Sequence, residues 1–469
     1  MSTSQHNDQP APRVTVIGTG YLGATHAVCM AIMGFEVLGV DVDQRKIDLL
    51  SAGGVPFFEP GLPEKLQEAL ATGRLRFSTD FDEAAAFGDV HFVCVGTPQA
   101  PNSSAADLKY VDAAFTALAT RIDRKVLLVG KSTVPIGTAA RITSMVQSLS
   151  PLGTELELAW NPEFLREGFA VQDTLFPDRL VFGVSSSWAE QQLRRVFKPI
   201  LDLETPVIVA DLATSELVKV AANSFLATKI SFINAMAEIC EATGADVNQL
   251  AKALSLDDRI GGRFLKPGLG FGGGCLPKDI RAFKHRAEEL GVGQAVSFLG
   301  EVDSINNRRR VRTVDLIREL AGGSLAGVRV AALGAAFKPN SDDVRDAPAL
   351  DVARLLYLEG AIVSVYDPQA NENAHRAYPD LNYVDSMAEA VDKADVVALL
   401  TEWSEFRNAD PDALGALVSH RRILDGRHAL NANDYTSKGW QYRALGRPAQ
   451  AATVELAFDV RDETPSLVV

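Results

Sequence analysis

Short apolar blocks, each closed by glycine or an acid, set the rhythm of the chain from Arg13 onward. In RVTVIGTGYLGATHAVCMAIMGFEVLGVDVD, Val14–Ile17 predict a buried strand. A glycine turn follows, then helical spacing over about Leu22–Met33, ended by Gly34, and EVLGVDVD predicts a second strand. The blocks at Asp89–Gly96, Lys125–Thr133, Glu155–Trp160 and Arg179–Val184 predict further strands. Strands alternating with helical stretches imply βαβ units and a mostly parallel sheet, assigned to residues 13–206.

The period then changes. Asp211 to about Ala242 contains neither Pro nor Gly, and Leu217, Val220, Leu226, Ile230, Ile233 and Met236 recur at helical spacing. One long helix is expected there, with more helices in a central region at 207–320 that can act as a spacer or dimer surface. Near Gly322 the βα rhythm returns. GVRVAALGAAF resembles the first strand and turn, and AIVSVYDP the second strand with its terminal acid; DVVALLTEW and RILDGR supply later strands. Residues 321–450 therefore read as a second Rossmann-type unit, an internal repeat whose turn lacks the full set of glycines. The fold class is α/β, with two Rossmann-like domains joined by a helical one. Loose tails are expected at 1–12 and 451–469.

Composition narrows the function. The 469 residues are 47% hydrophobic and 23% charged, which is globular. A net charge of −14 argues against a nucleic-acid partner. Cys29, Cys94, Cys240 and Cys275 are too widely spaced for a disulfide framework or a zinc site, so no metal is expected. The start, MSTSQHNDQPAP, has no signal-peptide pattern, and no apolar run is long enough for a bilayer. A cytoplasmic protein without a membrane partner is the expectation.

Two stretches carry chemistry. Gly18, Gly20 and Gly23 form G-x-G-x-x-G between strand and helix, where the turn, the backbone approach to a pyrophosphate and helix packing each need a glycine. Asp41 ends the next strand, where its carboxylate suits the ribose hydroxyls of NAD and repels the extra phosphate of NADP. Thr97 and Thr133 lie on strand-end loops of the same crevice, as ligand donors or as helix caps. Glu163 and Glu167 in NPEFLREG are either acid–base groups or simple helix-start acids. Lys219 and Asn223 share one face of the long helix, pinned toward a cleft or with the lysine stretching to solvent. The second stretch is GFGGGCLPKD. Pro277 predicts a helix running to about Leu290, placing Cys275 at its start beside Lys278, two features that lower a thiol pKa. Asp279 either caps that helix or orients a water. A thiolate beside NAD suits aldehyde oxidation through a thioester.

The glycine turn with Tyr21, then VGTP, STVP, NPEFLREG, ELVKVAANSF, GFGGGCLPKD, FKP and DGR occur in that order, and the chain resembles the UDP-glucose/GDP-mannose dehydrogenase family over about Val14–Arg427. The resemblance implies a homodimer or higher homo-oligomer and an NAD-dependent four-electron oxidation of UDP-glucose to UDP-glucuronate, GDP-mannose being the alternative and a non-catalytic nucleotide-sugar sensor the rival from another class. It makes Cys275 the nucleophile. Lys219 and Asn223 would hold the C6 oxygen, Asp279 with Thr133 the water, and Glu163 would move protons. On the NAD side it implies Leu22, Asp41, Lys46, Thr97, Thr133, Glu167, Lys278 and Arg345. Substrate contacts are implied at Phe164, Leu165 and Glu167, at Phe264, Leu265, Lys266, Pro267 and Gly268, at Gly272, Lys338 and Arg427, and across the dimer at Arg259. Gly274 and Leu276 stand where many members have serine and an aromatic.

Overall fold

The computed structural model of the protein describes residues 10–448. Apart from residues 10–12, the tails expected at 1–12 and 451–469 lie outside the described residues.

The first sheet has eight strands: β1 (Val14–Ile17), β2 (Val37–Val40), β3 (Leu75–Ser78), β4 (Val90–Val93), β5 (Leu127–Gly130), β6 (Glu157–Trp160), β7 (Leu180–Gly183) and β8 (Val207–Ala210). Their order is β3-β2-β1-β4-β5-β6-β7-β8. β1 pairs in parallel with both β2 and β4, so the winding reverses between β1 and β4. At such a switch point an open α/β sheet leaves a ligand crevice beyond its strand ends. β7 meets β6 antiparallel through Trp160 and Gly183, the one break in the parallel run. The central strands are buried on both faces, which is why they read as mostly apolar blocks; the polar exceptions, Thr15 in β1 and His91 in β4, hydrogen-bond each other at 2.6 Å. The hydrophobic pattern does not predict β3 or β8. Both lie at sheet edges with half-exposed side chains, so neither needs such a block. β8 also carries this sheet past residue 206.

The second sheet contains β9 (Arg329–Leu333), β10 (Ile362–Tyr366), β11 (Asn382–Tyr383), β12 (Val396–Leu399), β13 (Arg422–Asp425) and β14 (Gln441–Ala444), all parallel. Its order, β11-β10-β9-β12-β13-β14, repeats that of the first six strands of the other sheet. The repeat extends to the strand-end acid. Asp367, which corresponds in place to Asp41, is buried and accepts from Ala335 N at 2.8 Å, Ala336 N at 2.9 Å and Trp403 Nε1 at 3.0 Å. Asp41 is held in the same way by Thr19 N, so in both repeats the strand-end acid fixes the turn that follows the first strand.

Between the sheets runs one helix, Leu212–Thr243, of 32 residues, about 48 Å long at the usual rise. Asp211 caps its start, accepting from Thr214 N at 2.8 Å, and Gly244 ends it in the left-handed region. It packs against the cysteine helix, Leu276–Glu289, and against Phe298–Ala321 through Ala227, Phe271, Ile280, Leu299 and Val302. Its outer flank leaves Leu217, Phe225, Phe232 and Ile239 exposed. Among the described residues no helix is long and apolar enough to cross a membrane, and no cluster of His, Cys, Asp or Glu could hold a metal ion.

Candidate active site

Gly18 follows β1 with φ +89°, in the left-handed region that glycine tolerates, and a side chain there would sit 2.8 Å from Val95 Cγ1. Gly23 lies so close to the Gly18 carbonyl that any side chain would push the helix off the strand. Gly20 faces open space and caps Tyr21–Ile32 without a side-chain bond, and no acid occupies the first turn. Free N–H groups at a helix start over open backbone are what a pyrophosphate requires. Asp41 accepts from Thr19 N and Lys46 Nζ at 2.8 and 2.7 Å. Burial would raise its pKa, but Lys46 and the N–H groups of Asp43 and Thr19 outweigh that and hold it lowered. These groups fit NAD. Leu22 packs against the same core.

Further along the strand ends, a narrow cleft opens between the first sheet and the central helices, lined by Thr97, Pro98, Thr133, Val220, Lys278 and Asp279 among others. The Thr97 hydroxyl donates to the Thr133 carbonyl at 2.8 Å, joining the two loops rather than capping a helix.

Lys219 does not reach for solvent. Its side chain is 6% exposed and its Nζ lies 3.1 Å from Glu163 Oε1. Burial alone would lower its pKa, but Glu163 first, then Cys275 and Asp279, raise it, so it stays cationic. One turn on, Asn223 Nδ2 donates to Asp279 Oδ2 at 2.7 Å, and Lys278 Nζ reaches Asp279 Oδ1 at 2.5 Å. Cys275 occupies the N-cap of its helix, and the charges of Glu163, Asp279, Lys219 and Lys278 all act on it. The expected fall in its pKa does not occur. Its side chain is open to solvent, but desolvation by the surrounding protein mass, with Glu163 and Asp279, outweighs the two lysines and pushes the thiol up to about 12. In the free protein, alkylation of Cys275 by iodoacetamide is therefore expected to be slow near pH 7 and to climb about tenfold per pH unit up to about pH 11, because only thiolate reacts. Peptide mass measurement reads the rate; a plateau near pH 9 would mean an unshifted thiol.

The glycines before Cys275 are not empty space. The Gly273 Cβ position lies 2.8 Å from the Phe337 ring, Gly272 backs onto the Asp346 carbonyl, and Gly274 onto the Arg345 guanidinium. Gly273 N donates to the Arg345 carbonyl at 2.8 Å and Gly274 N to Asp343 Oδ2 at 3.2 Å. The run is a seam that lets the third domain press against the cysteine loop. Arg427 donates to the carbonyls of Leu400, Gly270 and Phe337 at 2.7, 3.0 and 3.1 Å, clamping that seam. Lys338, its pKa lowered by burial, and Arg345 bring their charges toward Cys275 from the same side.

Glu167 also faces the third domain. Ser341 Oγ donates to it at 3.0 Å and Arg345 Nη2 lies 3.7 Å away; burial first, then Asp343, push its carboxyl up to about 7. Phe164 lies under Arg179 and Lys219, with Arg179 Cζ 3.9 Å from its centroid, and Leu165 N donates to Glu163 Oε2 at 2.5 Å. In the Phe264–Gly268 loop, Leu265 and Pro267 are buried, Phe264 and Lys266 exposed, and Gly268 N donates to Asn234 Oδ1 at 2.9 Å. Arg259 is exposed and pairs with Asp257, away from these groups.

Two buried acids escape the sequence reading. Glu216 accepts from Gly137 N and Ala139 N at 2.7 and 2.6 Å, fixing the loop after Thr133 to the long helix. Its position three residues before Lys219 on one helical face is the signal that could have found it. Glu59, in FFEPGL, is the other.

Comparison with known proteins agrees with this division of labour. Three sequence models of the UDP-glucose/GDP-mannose dehydrogenase family match: its NAD binding domain at residues 12–201, its central domain at 213–308 and its UDP binding domain at 331–432. The chain is 38% identical to a UDP-glucose 6-dehydrogenase of Rhizobium meliloti over 93% of this chain and 100% of that one. It is 38% identical to UDP-glucose 6-dehydrogenase TuaD of Bacillus subtilis over 94% of each. The solved structure of a UDP-glucose dehydrogenase from Pyrobaculum islandicum superposes with a TM-score of 0.85 and 38% identity, covering 91% of this chain and 97% of that one. With an NAD crevice, a cysteine under opposed charges and a third domain pressed onto both, the chain belongs to the UDP-glucose/GDP-mannose dehydrogenase family of NAD-dependent oxidoreductases.

Proposed function

We propose that the protein oxidises the C6 alcohol of UDP-glucose to the carboxylate of UDP-glucuronate in two successive two-electron steps on one enzyme. The carrying observation is the convergence of the Lys219–Glu163 and Asn223–Asp279 pairs on Cys275 at the end of the NAD crevice. NAD, when bound, accepts hydride from the substrate carbon.

Lys219, with two N–H groups left beyond its Glu163 bond, and Asn223, whose amide is oriented by Asp279, hold the C6 oxygen as charge develops on it. Glu163, held by Leu165 N, takes up protons. The sulfur of Cys275 adds to the aldehyde carbon to form a thiohemiacetal, and loss of the second hydride leaves a thioester. Asp279 and Thr133 position the water that cleaves the C–S bond, returning the thiol and releasing the acid. The sugar gives up two hydrides and one water is consumed. Thr97, Gly18, Gly20, Leu22, Gly23, Asp41, Lys46 and Lys278 form the cofactor side. Arg345 joins the cofactor side, and Glu167 serves at the edge of both ligands. Phe164, Leu165, the Phe264–Gly268 loop, Gly272, Lys338 and Arg427 form the wall that receives the nucleotide sugar. The exposed stripe of Leu217, Phe225, Phe232 and Ile239 supports pairing of the long helix with a second copy, which Arg259 would then reach.

NADH formation with UDP-glucose and with GDP-mannose in parallel tests the reading. Faster turnover of UDP-glucose with about two NADH per sugar is expected from the thioester route. Faster GDP-mannose turnover overturns the substrate, a ratio near one overturns the second step, and binding of both ligands without NADH makes the protein a sensor.

A further inference from the structure

Glu59 is a buried carboxylate that no step above uses. It lies in the loop between the Gln44–Ser51 and Leu62–Ala71 helices and is 2% exposed. Oε1 accepts from Ala170 N at 2.7 Å, and Oε2 accepts from Gly168 N at 2.6 Å and from the Tyr21 hydroxyl. Tyr21 opens the helix after the glycine turn, and Gly168 closes NPEFLREG. One side chain thus ties the cofactor turn to the loop that carries Glu163 and Glu167.

The neighbours of Glu59 extend this junction. The Phe57 ring packs in the first-domain core, its centroid 4.8 Å from that of Tyr21. Phe58 packs against the core of the third domain, and its backbone bonds Asp342. Gly168 has φ +78°, and a Cβ there would lie 2.6 Å from the Asn340 carbonyl of the third domain. The 163–168 loop is therefore held from three sides: by Glu59 at its end, by Lys219 at Glu163, and by Ser341 at Glu167.

We infer that Glu59 is a positioning residue for the oxidation, fixing the 163–168 loop so that Glu163 stays on Lys219 while the third domain seats over Cys275. This rests on the function proposed above. A side chain needed only to fill this space could be apolar, whereas three donors converge on an acceptor here. Burying those N–H groups without a partner is costly, and glutamine turns an N–H₂ toward one of them.

The experiment compares full-length wild type with Glu59→Gln by steady-state kinetics and by hydrogen exchange. kcat with UDP-glucose is expected to fall about 10- to 100-fold, the scale of a small misplacement of catalytic groups. Exchange at the Gly168 and Ala170 amides is expected to quicken by roughly tenfold or more with the core strands unchanged. Wild-type kcat in the variant overturns the inference, as does faster exchange spread evenly over the chain. If the glutamine variant does not fold, Glu59→Asp, which keeps the charge but falls one methylene short, is read by the same two measurements. Exchange needs no substrate. It therefore reports on Glu59 even if wild type forms no NADH from UDP-glucose, a result that would instead defeat the functional reading.

Discussion

Replacement of Cys275 by alanine is expected to abolish uronate formation while leaving the fold and NAD binding intact. The two halves of that expectation have separate causes. Without sulfur there is no bond to the aldehyde carbon, and losses for a removed nucleophile reach about 10³-fold or more in kcat. Stability is another matter. Cys275 opens to solvent and its side chain makes no capping bond, so the change should stay within about 0.5 kcal/mol. Product analysis, NADH titration and thermal unfolding on one preparation decide it. Near-normal uronate production sinks the thioester route; loss of NAD binding would mean that the thiol also supports the cofactor crevice.

The second large effect is expected at Lys219. Lys219→Met removes a buried cation and leaves the Glu163 carboxylate, itself 13% exposed, without its partner. Breaking one side of a buried pair costs about 3–5 kcal/mol because the remaining charge is stranded. Loss of the donor to the developing oxyanion costs about 10²–10³ in kcat. The two effects separate in a double variant. Lys219→Met with Glu163→Gln neutralises both sides and should recover most of the stability but none of the rate. Denaturant unfolding and kcat are the readouts. If the double variant regains both, the pair is structural and the cation has no part in the chemistry.

The frame of the molecule was open to reading along the chain. Strands buried on both faces are mostly apolar, so β1, β4, β5 and β12 stand out in the sequence, and the glycine turn announces the crevice beside them. Edge strands carry no such obligation, and β3, β8, β11 and β14 escaped for that reason. At the site, helical spacing put Lys219 and Asn223 on one face, but it could not say whether that face met water or Glu163. The glycine run of GFGGGCLPKD does not by itself say what approaches it; in the structure Phe337, Arg345 and Asp346 of the third domain pack against it. Cys275 read as a lowered-pKa thiol because its local neighbours are a helix start and Lys278. The carboxylates that oppose them come from residue 163, over a hundred positions away, and from the next turn of its own helix.

By itself, then, the sequence determined which residues are chemically able to act and which elements carry them, because periodicity and turn chemistry are local properties. Only the tertiary structure decided which charges face Cys275, the partner of Lys219, and the partners of Glu59 and Glu216. Those depend on burial and on groups brought together from distant parts of the chain, and electrostatic energies are set by such distances and by exclusion of water rather than by order along the chain.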